Sequence, residues 1–558
     1  MDKIKLNRRG ALGLFGASGA VALPGCTTIA QKGAHTGPVQ FAHGVASGDP
    51  ATDGAVIWTR ATTGADARGD VPLRWQVALQ AGGPEVQSGS ATAAVSADRT
   101  VKVELTGLEP GREYWYRFEG PDGTLSPEGR FRTLPVGAVD EVVLALASCQ
   151  LYPGGFYNAY AHMAGLDRLD AVLMLGDYIY EYGEDGYGGE IGQRIGRVPD
   201  PRHEIVSLDD YRRRHAQVKA DPDMQAAHAR AAFICVWDDH EVANDSWIGG
   251  AENHQPENEG DWTARKAAAM QAYFEWMPIR DPAKGHTREA IFRSFEFGDL
   301  ASLAMLETRL IARTKQVEYE GEPGDAEAYA ALLNEIRRED RELLGKDQLA
   351  WLQGVLSASV TSGKPWQLIG NQVVMAPVKG PDLERAMGPT GYQTFLGKLP
   401  PQWSKPVADA QVAYRAGVPF NLDGWDGYPA ARRRLYETFR KSGSTPLVLA
   451  GDSHAGWANN LRDDSGRLVA LENGCTAISS PSYGSLLPGF GRFIEQANEH
   501  VAYCNQDAKG YTLMTLKPDQ ARTDFVTVDT IFERRADARI DRSFTAAPGA
   551  SFGPWRSV

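Results

Sequence analysis

The chain of 558 residues is too long for one ordinary hydrophobic core, so we expect at least two domains. Hydrophobic residues make up 42% of the chain and charged residues 23%, a composition typical of globular rather than disordered proteins. The net charge of −13 argues against a stable nucleic-acid partner held by phosphate contacts, although a locally cationic metal site can still bind a small phosphorylated substrate.

The first 39 residues predict an export signal and a spacer. Arg8 and Arg9 precede a largely apolar run over 11–24, which is too short to span a membrane. Paired arginines of this kind are typical of the Tat route. Cys26 follows a Leu-Pro-Gly tripeptide that resembles a lipoprotein cleavage box, so lipid anchoring through Cys26 is an open alternative. We therefore expect a periplasmic or secreted protein, with or without a lipid anchor.

Residues 40–135 predict a small β-sandwich domain of the fibronectin or immunoglobulin type. Short β-rich segments alternate with turn signals, and no helical stretch interrupts them. The segment 105–114 resembles a fibronectin type III turn, with Tyr114 as the corner tyrosine. Metal-ligand residue types do not cluster here, so we expect a scaffold or a wall beside the active site. The predicted strands include 55–59, 73–79, 101–105 and 114–118.

From residue 138 to about residue 540, apolar strands alternate with helical stretches, which predicts a layered α/β domain. Two stretches, 182–197 and 376–428, lack a regular pattern, and we expect long loops at the substrate rim. Residues 541–558 are expected to form a C-terminal tail. The predicted helices cover 156–169, 208–230, 263–274 and 327–344, and further strands are predicted at 301–306, 366–369 and 468–471.

Four apolar segments of this domain end in residue types that bind metals. In α/β folds, ligands bind beyond the carboxyl ends of the strands, so we expect one metal site where these ends meet. The segments 142–147, 171–175, 231–236 and 446–449 run into Cys149, Asp177, an Asp-Asp-His-Glu sequence at 238–241 and a Gly-Asp-Ser-His sequence at 451–454.

Charge burial is the main argument for a metal. The acidic sequence at 238–241 directly follows an apolar strand, and burying its charges without a counter-charge would be costly. Asp177 could bridge two cations, and the phenolate of Tyr180 would suit ferric iron. The alternative is that Asp177 caps a helix and Tyr180 is a partly buried aromatic side chain. Carboxylates and amides outnumber histidines among these residues, which makes calcium rather than zinc plausible.

Five motifs follow one another in a specific order. They are Ser-Cys-Gln at 148–150, Gly-Asp-Tyr-Ile-Tyr-Glu at 176–181, Asp-Asp-His-Glu at 238–241 with Asn244, Gly-Asn-Gln at 370–372 and Gly-Asp-Ser-His at 451–454. In this order they resemble the PhoD-like alkaline phosphatase/phosphodiesterase family, relatives of the calcineurin-like metallophosphatases. The resemblance covers about residues 40–540 and implies a four-layer α/β/β/α metallophosphatase sandwich with ferric iron (Fe3+) and calcium (Ca2+).

The resemblance also implies roles for single residues. His240 would face the phosphate, and Asn244 would contact either the phosphate or a metal. Glu307 stands where the family pattern has Asp, which leaves the roles of Glu307 and Arg309 open. Iron would be held by Cys149, Asp177, Tyr180 and His454, and calcium by Asp177, Asp239 and Asp452, with Asn371 or Gln372 as a further ligand.

The resulting hypothesis is an exported phosphatase or phosphodiesterase that hydrolyses phosphate esters by in-line attack of a metal-bound hydroxide or oxide. His240 would stabilise charge on the phosphate or protonate the leaving alkoxide. The expected substrate is a small-molecule or phospholipid phosphate ester; monoesters and diesters both remain open, as does the oligomeric state. Two alternatives are a non-catalytic, metal-stabilised phosphate- or glycan-binding surface protein and a thiol hydrolase with Cys149 as nucleophile.

Overall fold

The computed structural model describes residues 35, 37–64, 68–319 and 321–558. The predicted export signal, with Arg8, Arg9 and Cys26, lies outside these residues. Within the described part of the chain, no helix combines the length and the apolar character that crossing a membrane requires.

The N-terminal part of the chain is an antiparallel β unit, as predicted. Four of its strands form a sheet in the order β4-β3-β6-β7, and the other three pair as β1-β2-β5. Ile57, Val77 and Phe118 belong to the apolar core that these strands share. The strands are β1 (Val45–Ala51), β2 (Gly54–Arg60), β3 (Val71–Ala78), β4 (Glu85–Ala93), β5 (Thr100–Glu104), β6 (Glu113–Glu119) and β7 (Gly129–Arg132).

Tyr114 forms the predicted tyrosine corner. The backbone N–H of Glu109 donates a hydrogen bond to the Tyr114 hydroxyl at 2.9 Å, and the ring is buried. This contact fixes the turn between β5 and β6.

The described residues of the rest of the chain contain fourteen further strands, β8 to β21. They are β8 (Val142–Ala147), β9 (Ala171–Met174), β10 (Ala232–Cys235), β11 (Arg293–Phe297), β12 (Ala301–Met305), β13 (Trp366–Gly370), β14 (Leu447–Ala450), β15 (Gly456–Arg462), β16 (Leu468–Gly474), β17 (Val501–Asn505), β18 (Lys509–Leu516), β19 (Ala521–Val528), β20 (Ala538–Ala546) and β21 (Arg556–Ser557).

These strands form two mixed sheets. One has ten strands in the order β21-β20-β19-β18-β8-β9-β10-β1-β2-β5, and the other has seven in the order β11-β12-β13-β14-β16-β15-β17. The strands β8, β9 and β10 run parallel, as do β12, β13, β14 and β16. Their carboxyl ends therefore point the same way within each sheet, which is where α/β proteins place their ligands.

The N-terminal unit is continuous with the larger sheet. β1 pairs in parallel with β10 through Gly48 and Phe233. A Cβ atom at Gly48 would lie 2.5 Å from the carbonyl oxygen of Phe233, so this close approach requires glycine. The sequence predicted a scaffold or a wall beside the active site, and in the structure three of the seven strands of this unit extend the ten-stranded sheet.

The two large sheets share one apolar core. Leu173 of the ten-stranded sheet clusters with Leu303 and Leu368 of the seven-stranded sheet. The next residues along the same two strands, Ala304 and Ile369, belong to a different cluster that includes residues of the covering helices. This alternation follows from the two-residue repeat of a strand and means that the seven-stranded sheet is buried on both faces.

Among the residues that the structure describes, thirteen α-helices connect the strands. They are α1 (Asn158–Ala164), α2 (Gly189–Ile195), α3 (Leu208–Lys219), α4 (Pro222–Arg230), α5 (Pro256–Glu259), α6 (Trp262–Trp276), α7 (Ala326–Ile336), α8 (Gly345–Thr361), α9 (Leu383–Met387), α10 (Pro389–Lys398), α11 (Pro401–Arg415), α12 (Pro429–Ser442) and α13 (Phe490–Ala497).

Several local predictions were wrong. The stretch 376–428 contains α9, α10 and α11, and the stretch 182–197 contains α2, so neither is a long loop. The helix predicted over 208–230 is two helices, because the Asp221 carboxylate accepts hydrogen bonds from the first turn of α4. Residues 541–558 are not a tail, since they include the end of β20 and all of β21.

Candidate metal centre

The predicted ligands lie together beyond the carboxyl ends of the strands. Cys149 follows β8, Asp177 follows β9, Asp239 and His240 follow β10, and Asp452 and His454 follow β14. Within each of three groups, one potential ligand atom per residue lies within 4.8 Å of the others. The groups are Cys149, Asp177 and His454; Asp177, Asp239 and His240; and Asp238, Asp239 and Asp452.

The backbone at these strand ends is strained. Cys149 has a φ of 57°, and Asp177, Asp452 and His454 each have a φ of 58°. Residues with a side chain adopt this left-handed region at a cost of about 1–2 kcal/mol each. Such conformations persist where the surrounding structure imposes them, and they concentrate at functional sites.

Glu241 joins the loops that follow β9 and β10. Its buried carboxylate accepts hydrogen bonds from the backbone N–H groups of Asp177 at 3.1 Å and Asp238 at 2.7 Å. Gly176 allows the two loops to approach, since a Cβ atom there would lie 2.7 Å from the backbone nitrogen of Asp238. The positions of Asp177 and of the acidic sequence at 238–241 are therefore coupled.

Tyr180 and His454 complete the group around Cys149. The Tyr180 hydroxyl donates to Asp177 Oδ2 at 2.9 Å and lies 3.4 Å from His454 Nε2. His454 Nδ1 lies 2.6 Å from the Pro481 carbonyl oxygen, to which it can only donate. The proton is thereby placed on Nδ1, and the Nε2 lone pair faces the group, as in metal-binding histidines.

The acidic groups need a positive charge. Asp177 Oδ1 and Asp238 Oδ2 are buried, and neither accepts a hydrogen bond from any residue that the structure describes. Burial, together with neighbouring carboxylates, raises the pKa of Asp177 and of Asp452 well above the usual range. A cation among these oxygens would reverse both effects, so the residues present fit a metal site.

Arg309 is the charged partner that the sequence left open. It is fully buried, and its guanidinium donates to Asp238, to Asp423 at 2.7 Å and to Asp452 at 3.3 Å. Its Nη2 atom is also 3.6 Å from Asp239 Oδ1. One guanidinium thus faces four carboxylates, and the cluster is rich in the oxygen donors that hard cations prefer.

Glu307 positions Arg309 through hydrogen bonds to the backbone of the loop that carries it. Its carboxylate accepts from Trp237 Nε1 at 3.0 Å and from the backbone N–H groups of Arg309 at 2.9 Å and Leu310 at 2.7 Å. These contacts shape the loop after β12, so we assign Glu307 a supporting role.

His240 lies at the edge of the cluster in a charged environment. Its Nδ1 is 2.7 Å from Glu181 Oε2, and its ring packs on Tyr180 with centroids 4.2 Å apart. Burial alone would lower the pKa of His240, but the carboxylates of Asp239, Glu181 and Asp177 raise it overall. These carboxylates therefore favour the imidazolium form of His240 as long as no cation neutralises them.

The two predicted asparagines differ in their surroundings. Asn244 is partly exposed, and its side-chain amide donates to Glu252 at 3.2 Å. Asn371 is buried, accepts from Trp425 Nε1 at 3.1 Å and donates to the Val373 carbonyl. Both polar atoms of Asn371 are thus already paired within the protein, and its role as a ligand stays a prediction.

Comparison with known proteins gives matches over most of the chain. Residues 144–525 match the family of PhoD-like phosphatases, and residues 27–135 match the N-terminal domain of PhoD-like phosphatases. The chain is 34% identical over 521 residues to alkaline phosphatase D of Bacillus subtilis (strain 168), covering 90% of this chain and 80% of that protein. A solved structure of PhoD superimposes with a TM-score of 0.75 and 32% identity, over 93% of this chain and 92% of the other.

Proposed function

The chain belongs to the PhoD-like phosphatase family, and from this premise we propose that it hydrolyses phosphate esters at the acidic cluster with the help of bound metal ions. One observation carries the proposal: Asp177 belongs to two of the three ligand groups, and its Oδ1 atom is buried and receives no hydrogen bond from any of the described residues. A carboxylate oxygen in this state is ready to coordinate a cation.

The two sets of candidate ligands that accompany Asp177 differ in chemistry and support different metals. Cys149, Tyr180 and His454 combine a thiol, a phenol and an imidazole, a set that would suit ferric iron. Asp239 and Asp452 offer carboxylate oxygens only, which would suit calcium. When bound, the cations would supply Lewis-acid polarisation of the phosphoryl oxygens and activation of the attacking water.

The protein's own residues would position and protonate the substrate. The Glu181 carboxylate fixes the ring of His240, whose second ring nitrogen can donate to a phosphate oxygen or to the leaving alkoxide. Arg309 holds the carboxylates of Asp238 and Asp452 in fixed directions. Their oxygen atoms therefore do not need to reorganise when a substrate binds. Asn244 is partly exposed near Glu181 and is our candidate for a further phosphate contact.

A thiol-hydrolase mechanism is less well supported. Cys149 is fully buried, and burial together with the charge of Asp177 raises the pKa of its thiol well above the usual value. A nucleophilic cysteine needs the opposite shift. A metal ion would stabilise the thiolate directly.

An ester assay with and without metal tests the proposal. We expect turnover of p-nitrophenyl phosphate or bis(p-nitrophenyl) phosphate, a loss of about a hundredfold or more after metal removal, and recovery when metals are returned. Iodoacetamide should have little effect on the metal-loaded protein. Full activity in demetallated protein, blocked by iodoacetamide, would instead support the thiol mechanism. Metal binding with no turnover of either ester would support the non-catalytic binding protein.

We also propose a four-layer α/β/β/α arrangement for the catalytic part. The apolar core that Leu173 shares with Leu303 and Leu368 supports two sheets packed face to face. The second cluster, which joins Ile369 of β13 to Leu352 of α8 and Leu435 of α12, supports a helical layer outside the seven-stranded sheet.

Export by the Tat route is a further proposal, with Cys26 as the residue that would carry a lipid anchor. It is supported by Arg8, Arg9 and the apolar run at 11–24. Fractionation of cells that produce the protein with Arg8 and Arg9 replaced by lysine should show the full-length precursor retained in the cytoplasm. Continued export of that variant would contradict the Tat assignment.

A further inference from the structure

Aromatic side chains border the acidic cluster, and we call Tyr182, Tyr187, Phe420 and Tyr483 the aromatic rim. On one side of the cluster, the Tyr182 ring centroid is 5.5 Å from that of His240. The Tyr187 ring lies 6.1 Å from the His454 ring and is nearly parallel to it, with an angle of 17° between the planes. These two tyrosines come from the Gly-rich stretch that follows β9.

The second side of the rim comes from segments far away in sequence. The Tyr483 ring packs on Phe420 with centroids 5.3 Å apart and keeps 51% of its surface exposed. The Pro481 carbonyl oxygen, two residues before Tyr483 in the chain, lies 2.6 Å from His454 Nδ1. Tyr483 is thus an exposed aromatic side chain on the segment that contacts His454.

A hydrogen bond fixes part of the aromatic rim, and the rim side chains stay accessible to solvent. The Tyr187 hydroxyl donates to the Pro481 carbonyl at 2.9 Å, and Pro481 lies two residues before Tyr483. The Tyr187 side chain nevertheless remains 36% exposed. Fixed and exposed aromatic faces are suited to stacking.

We propose that the aromatic rim binds a flat ring in the alcohol part of the substrate, so that the enzyme prefers phosphate esters of ring-bearing alcohols such as nucleosides. This inference rests on the proposed phosphatase function, because it assigns the substrate class at the same site. The rim side chains are uncharged and offer no charge attraction to a polyanion. They offer π-faces, on which a nucleobase stacks regardless of its identity.

Hydrolysis of adenosine 5′-monophosphate and of ribose 5-phosphate tests the inference. Both esters release the same kind of primary alcohol. They therefore differ in the flat nucleobase and not in the bond that breaks. We expect kcat/KM to be about tenfold higher or more for the nucleotide. In Tyr187→Leu and Tyr483→Leu, the ratio of the two kcat/KM values should fall toward unity, mainly because kcat/KM for the nucleotide falls. Tyr187→Phe and Tyr483→Phe should keep the ratio of the unmodified enzyme.

Two results would overturn the inference. One is an equal kcat/KM for the two esters in the unmodified enzyme. The other is an unchanged ratio of the two kcat/KM values in the double variant that carries both Tyr187→Leu and Tyr483→Leu. Calorimetric Kd values for the two compounds give the same comparison without turnover. If neither ester is hydrolysed, the proposed function fails for these substrates; the rim assignment then stands if the nucleotide binds about tenfold more tightly and falls if both bind equally.

Discussion

Asp177→Asn is expected to lower kcat for p-nitrophenyl phosphate by about a thousandfold or more, because several kcal/mol of metal-dependent stabilisation would be lost. Asp177 belongs to two of the three ligand groups, and its two oxygens have different partners. Oδ2 accepts from Tyr180, and Oδ1 is one of the buried oxygens without a donor in the described chain. An amide has one oxygen and no charge, so it cannot bridge two cations.

Asp49→Asn is the matched control for this prediction. Asp49 of β1 is also a buried aspartate with a left-handed backbone, at φ 43°, but it pairs with Arg293 of β11. This variant should change stability and leave kcat within about twofold, since sites without shared partners act independently. Near-normal turnover in a folded Asp177→Asn enzyme would refute the bridging role.

Arg309→Met is expected to reduce the free energy of unfolding of the metal-free protein by about 3–5 kcal/mol. The guanidinium is fully buried and faces Asp238, Asp239, Asp423 and Asp452. Removing it leaves buried carboxylates that repel each other and have lost their main partner. Urea unfolding followed by circular dichroism measures the loss, and added calcium should restore part of it.

Two further variants test the cause of this loss. Arg309→Lys keeps the charge but not the planar fork, and it should be less destabilised than Arg309→Met. Arg338→Met removes an exposed arginine that pairs with Glu335 and Asp340, and its effect should stay within about 0.5 kcal/mol. An Arg309→Met protein as stable as the unmodified one would show that the acidic cluster does not depend on Arg309.

Local sequence patterns were sufficient to predict where these strands end and which ligand-type residues follow them. An apolar run followed by a ligand-type residue defines a strand that delivers a polar group to one edge of a sheet, whatever lies elsewhere in the chain. The structure brings Cys149, Asp177, Asp239, His240, Asp452 and His454 into the three groups, as that pattern predicts. The tyrosine corner at Tyr114 was also predictable, because its partner is five residues away.

Features that depend on distant contacts were not predictable from one sequence. Arg309 enters the cluster because Glu307 organises its loop, and Glu307 is held in turn by Trp237, which lies 70 residues away in the chain. The pairing of β1 with β10 depends on an approach that only Gly48 permits. The helices α10 and α11 were missed because Pro389 and Pro401 suggested breaks, whereas each occupies the first turn of a helix.

Metal analysis with a visible spectrum, on protein purified without chelator, tests the central claim most directly. We predict more than one cation per chain, including iron, and a broad visible absorption from thiolate and phenolate bound to ferric iron. Cys149→Ser and Tyr180→Phe should each change that band, and Asp177→Asn should lose metal. A colourless protein that is active and fully loaded with other metals would contradict the iron assignment. A fully active protein that contains no metal would contradict the account as a whole.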